Sequence, residues 1–248
     1  VQTCALPILF IDELKNKDHN IRLYCVKNLA NVAIMLGEER TEEELLPLLI
    51  DNIINFEDNE EVLHELSTQL VILSDHIPAN TTYSSNLRGL EILAGNDDEA
   101  VRQNATDNLC KLINKLDEVI ITNEIFPLMQ RLIQNDMKSK ISCCYLFPVV
   151  YPKLNNYSIK KDLIQAYFEI SRDDSPSVRR AAAFNIRNFA MLRDLDLIKD
   201  LVQLHTDMMK DVVDIVKVNV IESTIELLKV LNEENQKKIV TNFNSIVT

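Results

Sequence analysis

Glycine is scarce in this chain: only Gly37, Gly89 and Gly95 occur among 248 residues. Sheet turns and phosphate-cradling loops depend on glycine for positive φ, so the shortage argues for helices and against a dinucleotide fold or a P-loop. Tryptophan is absent, and the four histidines, His19, His64, His76 and His205, are scattered. A metal site needs three or four converging ligands. His64-Glu65 begins a zinc-protease pattern, but Thr68 stands where its second histidine belongs. Five cysteines, Cys4, Cys25, Cys110, Cys143 and Cys144, show no C-x-x-C spacing. Four of them fall where a helix is apolar, which marks reduced core residues of a cytoplasmic or nuclear protein. Charge or proline breaks every apolar run within about ten residues, too short for a membrane span. Val1 to Thr3 carry no basic leader, and the start without Met suggests a fragment.

No nucleophile constellation is found, and no cofactor motif. The adjacent pairs Asp97-Asp98 and Asp173-Asp174 precede helices, where capping explains them better than acid/base work. With 38 acidic against 26 basic residues the net charge is −12. That balance argues against binding a phosphate backbone and favours a protein or peptide partner with a basic face.

One pattern recurs. Ile21, Val62, Val101, Ser139, Val178 and Val216 each open a stripe continued four, eight and eleven residues on. In the fifth copy these are Val178, Ala182, Ile186 and Phe189. Positions 0, 4, 8 and 11 form one face of a helix, and their recurrence at intervals of 38 to 41 residues marks a repeat architecture. The residue after position 0 is basic in five copies, Arg22, Arg102, Lys140, Arg179 and Lys217, with Leu63 the exception. An aspartate stands shortly before each stripe: Asp18, Asp58, Asp98, Asp136, Asp174 and Asp214. The expected arrangement is a ladder in which aspartates such as Asp18 and Asp98 cap helices and meet a cation of the same or the neighbouring repeat. Ser175 before Pro176 fits an N-cap followed by a first-turn proline.

A second helix precedes each stripe, with Pro7, Pro47 and Pro127 inside apolar runs, where proline bends a packed helix. The predicted first helices are 5–16, 42–55, 84–94, 121–134, 158–171 and 196–209, and the second helices 19–36, 60–76, 98–115, 138–151, 176–192 and 212–231. The repeats span about 5–37, 42–76, 84–115, 121–151, 158–192 and 196–231, and 233–248 is the first helix of a seventh. The expected fold is all-α, a single α-solenoid (α-α superhelix) of HEAT repeats, armadillo-like, with helix content above about two thirds. In such a stack the turns within repeats align into an acidic ridge, which suits a docking surface.

The stretch FIDELKNKDHNIRLYCVKNLANVAIMLGEERTEEELLPLLID at 10–51 resembles the scaffolding A subunits of protein phosphatase 2A, including Gly37-x-x-Arg40-Thr41 and Glu44-Leu45-Leu46-Pro47. CYLFPVVYPKL at 144–154 and DDSPSVRRAAAFNIRNFA at 173–190 are similar to that family's fourth and fifth repeats. The resemblance implies a non-catalytic scaffold whose N-terminal repeats hold an exchangeable regulatory B subunit through their turns. It implies that C-terminal repeats absent from this chain hold the catalytic subunit. By position, the partner-facing residues are Glu61, Asp97, Asp98, Asp136, Met137, Asp174, Pro176 and Arg180, while Arg179 matches the ladder. In the fourth turn the family carries a Trp-Phe pair, whereas Met137-Lys138 follow Asp136 here with one residue fewer. The other reading is a HEAT adaptor of another class, such as a nuclear-transport-like carrier, that binds basic peptides.

Overall fold

The computed structural model describes residues 10–76 and 83–247. Cys4, Pro7 and most of the helix expected at 5–16 lie outside them. The second helix of the first repeat is α1 (His19–Lys27) and α2 (Leu29–Leu36). There follow α3 (38–54), α4 (Glu60–His76), α5 (Tyr83–Ala94), α6 (Glu99–Lys115) and α7 (118–134). The remainder is α8 (Met137–Val150), α9 (Tyr157–Ile170), α10 (Pro176–Ala190), α11 (Leu195–Met208), α12 (Asp214–Val230) and α13 (Glu233–Val247). No strand occurs among the described residues, and helix accounts for more than about two thirds of the chain. The fold is an all-α solenoid of helix pairs. Two compact units contain these helices: Val1–Leu116 with Thr122–Leu132, and Asp117–Ile121 with Ile133–Thr248.

The stripe is the core. Every one of its positions is buried except Ile21, which stands 38% exposed, and Thr224. In the first repeat Leu23 takes the buried place instead. Each large apolar side chain withdrawn from water contributes about 1.5–3 kcal/mol, which a lone helix pair could not collect without its neighbours. In the second unit Phe147, Tyr167 and Phe189 interlock edge to face at centroid distances of 5.2 and 4.7 Å. The buried Tyr167 hydroxyl donates to the Ala182 carbonyl, so the phenol leaves no polar group unsatisfied.

Helix boundaries follow caps. Gly37 ends α2 at φ +79°, a conformation that favours glycine, and its carbonyl accepts the Thr41 hydroxyl at 2.7 Å. That geometry starts α3 at residue 38 rather than 42. Asp117 caps Ile120 and starts α7 at 118 rather than 121. Ser175 occupies the N-cap position before Pro176, but its side chain makes no cap hydrogen bond. The expected bends at Pro47 and Pro127 are taken up by π turns at Thr41–Leu45 and Ile121–Ile125. Leu46 N–H reaches back to the Thr41 carbonyl, five residues away. Widening the helix just before a residue that has no N–H to give accommodates the proline ring.

A second buried row went unforeseen. Seven residues after four of the six stripe openings stand Gln69, Asn108, Asn185 and Ser223, all buried. Asn108 Nδ2 donates to Ser67 Oγ at 2.8 Å, and Ser223 Oγ donates to the Ala183 carbonyl at 2.7 Å, each tying one second helix to the one before it.

His205 in α11 lies 2% exposed, with Nε2 2.7 Å from the Thr224 hydroxyl. Thr224 is the one polar residue at the third stripe position because it faces this imidazole. Burial pulls the His205 pKa down from 6.5 to about 4, a backbone contact at Val220 opposing only in part. Between those values the unfolded chain binds the proton and the folded chain does not. This group's contribution is therefore intact above pH 6.5 and lost as the pH falls toward 4. The expected cost is about 2–3 kcal/mol. Melting temperatures of parent and His205→Gln from pH 7 to pH 4.5 should converge as the pH falls; parallel curves would remove His205 as the cause.

Candidate partner-binding turns

Five of the six turns between the two helices of a repeat are closed by their own side chains. Asn16 Oδ1 accepts Asp18 N–H, Asn96 Oδ1 accepts Asp98 N–H, and Asp173 Oδ1 accepts Ser175 N–H, at 2.9, 2.9 and 2.8 Å. Glu57 and Asp211 act likewise on Asn59 and Val213. This side-chain acceptor two residues upstream of the N-cap is a local Asx-type closure. The caps themselves are Asp18 to Asn20 N–H, Asn59 to Val62, Asp98 to Val101 and Asp136 to Ser139. The Asn20 N–H, with help from its side chain, holds the Asp18 carboxyl below the usual range. Of the aspartates expected before each stripe, Asp58, Asp174 and Asp214 do not cap, because Asn59, Ser175 and Val213 take the N-cap position.

The cations beneath the turns bind in two directions. Arg179 Nη1 donates to the Asp173 and Asp174 carbonyls at 2.8 and 3.0 Å, while Nε and Nη2 fork onto Asp211 of the next turn at 2.6 and 3.1 Å. Arg22 does the same with the Asn16 and Lys17 carbonyls and with Glu57. Arg102 takes the Asn96 and Asp97 carbonyls. Lys140 reaches Asp173 at 2.7 Å, and Lys217 turns to Asp214 in its own helix at 2.7 Å. The main rung acids are therefore Glu57, Asp173 and Asp211, while two of the expected aspartates also meet a cation, Asp58 at 3.7 Å from Arg22 and Asp214 at 2.7 Å from Lys217, and Asp18 and Asp98 serve as caps. The signal was in the sequence five residues before each stripe opening: Leu63, the one non-basic member of its row, precedes a turn with neutral Asn96 at that place.

These pairs are largely shielded, the Arg179 and Asp211 side chains being 15% and 8% exposed. The hydrogen bond from Arg179 holds the Asp211 carboxyl below its ordinary range, although burial opposes it. Burial raises Asp173, yet bonds from Lys140 and the Ser175 N–H outweigh it and leave that carboxyl low as well.

The turn surfaces above the rungs are open. In the first unit Glu61 and Asp97 are exposed and Asp98 is half-buried; in the second, Asp136, Met137, Asp174, Pro176 and Arg180 are exposed. Apolar side chains that carry no signal in the repeat pattern stand out beside the acids, Phe56 at 79% and Val212 at 90%. A groove of about 480 Å³ in the second unit is lined by Asp174, Arg179, Asp207, Lys210, Asp211 and Val212. Among the described residues no cluster of three or more His, Cys, Asp or Glu side chains could hold a metal. Likewise no helix among them is long and apolar enough to cross a membrane.

The class this geometry defines is a helical-repeat solenoid with self-closed, solvent-facing turns. Solved structures share the fold: the chain superposes on Kap95p from its complex with RanGDP with a TM-score of 0.62, at 13% identity, over 92% of this chain and 31% of that one. For Cex1p the TM-score is 0.56, at 16% identity, over 99% and 49%. No family model matches the chain. Sequence relatives are more specific. The protein phosphatase 2A scaffold subunit of Dictyostelium discoideum is 37% identical over 193 residues, 77% of this chain and 32% of that protein. A probable PP2A regulatory subunit of Caenorhabditis elegans is 34% identical over 234 residues, 94% of this chain and 39% of that one. The beta isoform of the 65 kDa regulatory A subunit of Rattus norvegicus phosphatase 2A is 36% identical over 76% of this chain and 31% of that one. The chain is homologous over most of its length to the scaffolding A subunits of protein phosphatase 2A, and it spans about a third of the length of these relatives.

Replacing Arg179 by Ala leaves the shielded Asp211 carboxylate without its cation and two turn carbonyls without donors. The expected loss is about 2–3 kcal/mol of stability, less than for a fully buried pair because water reaches part of it. Arg179→Lys should recover only part of that, since an ammonium cannot fork onto Asp211 while bonding both carbonyls. Chemical denaturation of the three proteins measures it, and equal midpoints would show that the rung carries no stability.

Proposed function

We propose that this chain is a non-catalytic segment of a phosphatase 2A scaffold, a single solenoid that binds an exchangeable regulatory B subunit through its intra-repeat turns. The observation that carries this reading is a division of labour in the fifth turn. Arg179 is consumed by the rung, while the side chains of Asp174, Pro176 and Arg180 face solvent and make none of the hydrogen bonds that close the turn. Such a turn presents a preformed surface, so little ordering is required when a partner docks. Homology to the scaffolding A subunits supports the same role. The catalytic subunit is held elsewhere in the scaffold, so this chain alone does not retain it. Its place of work is the cytoplasm or nucleus.

Arg180→Glu should weaken binding of a regulatory subunit by some thirty- to thousand-fold, about 2–4 kcal/mol, without lowering the melting temperature. Ala182→Glu, in contrast, sets an unpaired charge at a fully buried stripe position and should unfold the chain at lower temperature. Binding and melting measured on both variants separate the two roles. If Arg180→Glu matches the parent in its affinity for every B subunit, this turn does not face the partner.

A further inference from the structure

In an acidic chain, arginines are expected to find carboxylates, and most do. Arg22, Arg40, Arg131, Arg172 and Arg179 pair with Glu57, Glu44, Glu91, Asp207 and Asp211, Arg88 shares Glu91, and Arg102 takes turn carbonyls. Arg180, Arg187 and Arg193 have no carboxylate among the described residues. Two of these three lie together: Arg180, Phe184 and Arg187 occupy one face of α10 at spacings of four and three residues. The Arg187 guanidinium sits 3.7 Å over the centroid of the Phe184 ring. Phe184 in turn lies 5.8 Å from the ring of Tyr145 on α8. Tyr145, Phe184 and Arg187 are half-buried and Arg180 is exposed. None of these three half-buried residues belongs to a turn, and none is used by the stripe.

This patch carries its own specification. A guanidinium over a ring engages its face, which leaves the edge of N–H donors open to fork onto a carboxylate. Arg180 and Arg187 are about 10 Å apart along the helix, with Phe184 between them. On α12 the residue at the same repeat register as Phe184 is an exposed acid, Glu222. We propose that this face of α8 and α10 docks an acidic peptide segment of a partner protein, in which carboxylates meet Arg187 and Arg180 and an apolar side chain between them packs on Phe184 and Tyr145. Arg180 is shared with the turn surface assigned above, whereas Tyr145, Phe184 and Arg187 lie on helices outside it, so the proposal stands on those three whether or not the turns bind a B subunit.

The test uses the whole chain and a short fluorescent peptide of glutamates and aspartates around a central Phe-Leu pair, with the same peptide carrying lysines as counter-probe. At low salt the acidic probe should bind saturably and the lysine probe should not. Arg187→Gln and Phe184→Ala should each weaken it at least about tenfold, whereas Arg193→Gln, which removes the same charge elsewhere, should not. Should Phe184→Ala lower the melting temperature, Arg187→Gln decides alone, because its side chain leaves the stripe intact. Equal binding of both probes, unchanged binding by Arg187→Gln, or preference for a single-stranded oligonucleotide over the acidic peptide would overturn the proposal. The turn variant Arg180→Glu and purified B subunits play no part in this readout, so the two proposals can fail separately.

Discussion

One guanidinium with five donors does two jobs in this protein. Arg22 and Arg179 each close the turn of their own repeat through its carbonyls and join it to a carboxylate in the next. The stripe supplies most of the free energy but is indifferent to small rotations of one helix pair on another, because apolar contact has no direction. Forked hydrogen bonds have direction. The rung is what converts a greasy stack into a stack with a fixed step, and it frees the outer surface of each turn to vary.

Much of the helical layout was legible because the repeat supplied six readings of the same pattern. The stripe, the second-helix boundaries and the basic row all came from spacing alone. Helix starts at 38 and 118 were harder, since they depend on Gly37 and Asp117 acting across a loop rather than on periodicity. The capping role of Asp18 and Asp98 is legible in one dimension, but the nearest acids to the rung cations are not, because in sequence Asp18 and Asp98 look like the natural partners for Arg22 and Arg102. Only the side-by-side placement of turns reveals that Glu57 and Asp211 are nearer. The Asn and Ser row was invisible for a different reason: amides and hydroxyls in an apolar helix carry no period that distinguishes a buried pair from a solvated one.

Charge is distributed by surface. Acids dominate the turns and pair with the rung cations below them, so most of the basic side chains with described contacts are spent internally. What is left over on α10 is a small cationic area within a strongly anionic molecule. Such an area attracts anions only at short range, where the surrounding field no longer outweighs it, and it is sensitive to salt.

The π turns ahead of Pro47 and Pro127 carry an implication for how such helices change. In α3 the buried residues come as neighbours, Leu45 with Leu46, Leu49 with Ile50, Ile53 with Ile54, one doublet every four residues. An unbroken α-helix would rotate that four-residue cadence steadily away from the core, while the wider turns on either side of the proline wind it back. The helix thus contains a phase correction, and the proline marks where it is applied. A one-residue deletion inside Thr41–Leu45 would not simply shorten the helix. It would restore regular winding and swing everything upstream, including the Thr41 anchor on Gly37, around the axis. Length within these helices is therefore constrained more tightly than composition, and substitutions should be easier to accommodate there than insertions or deletions.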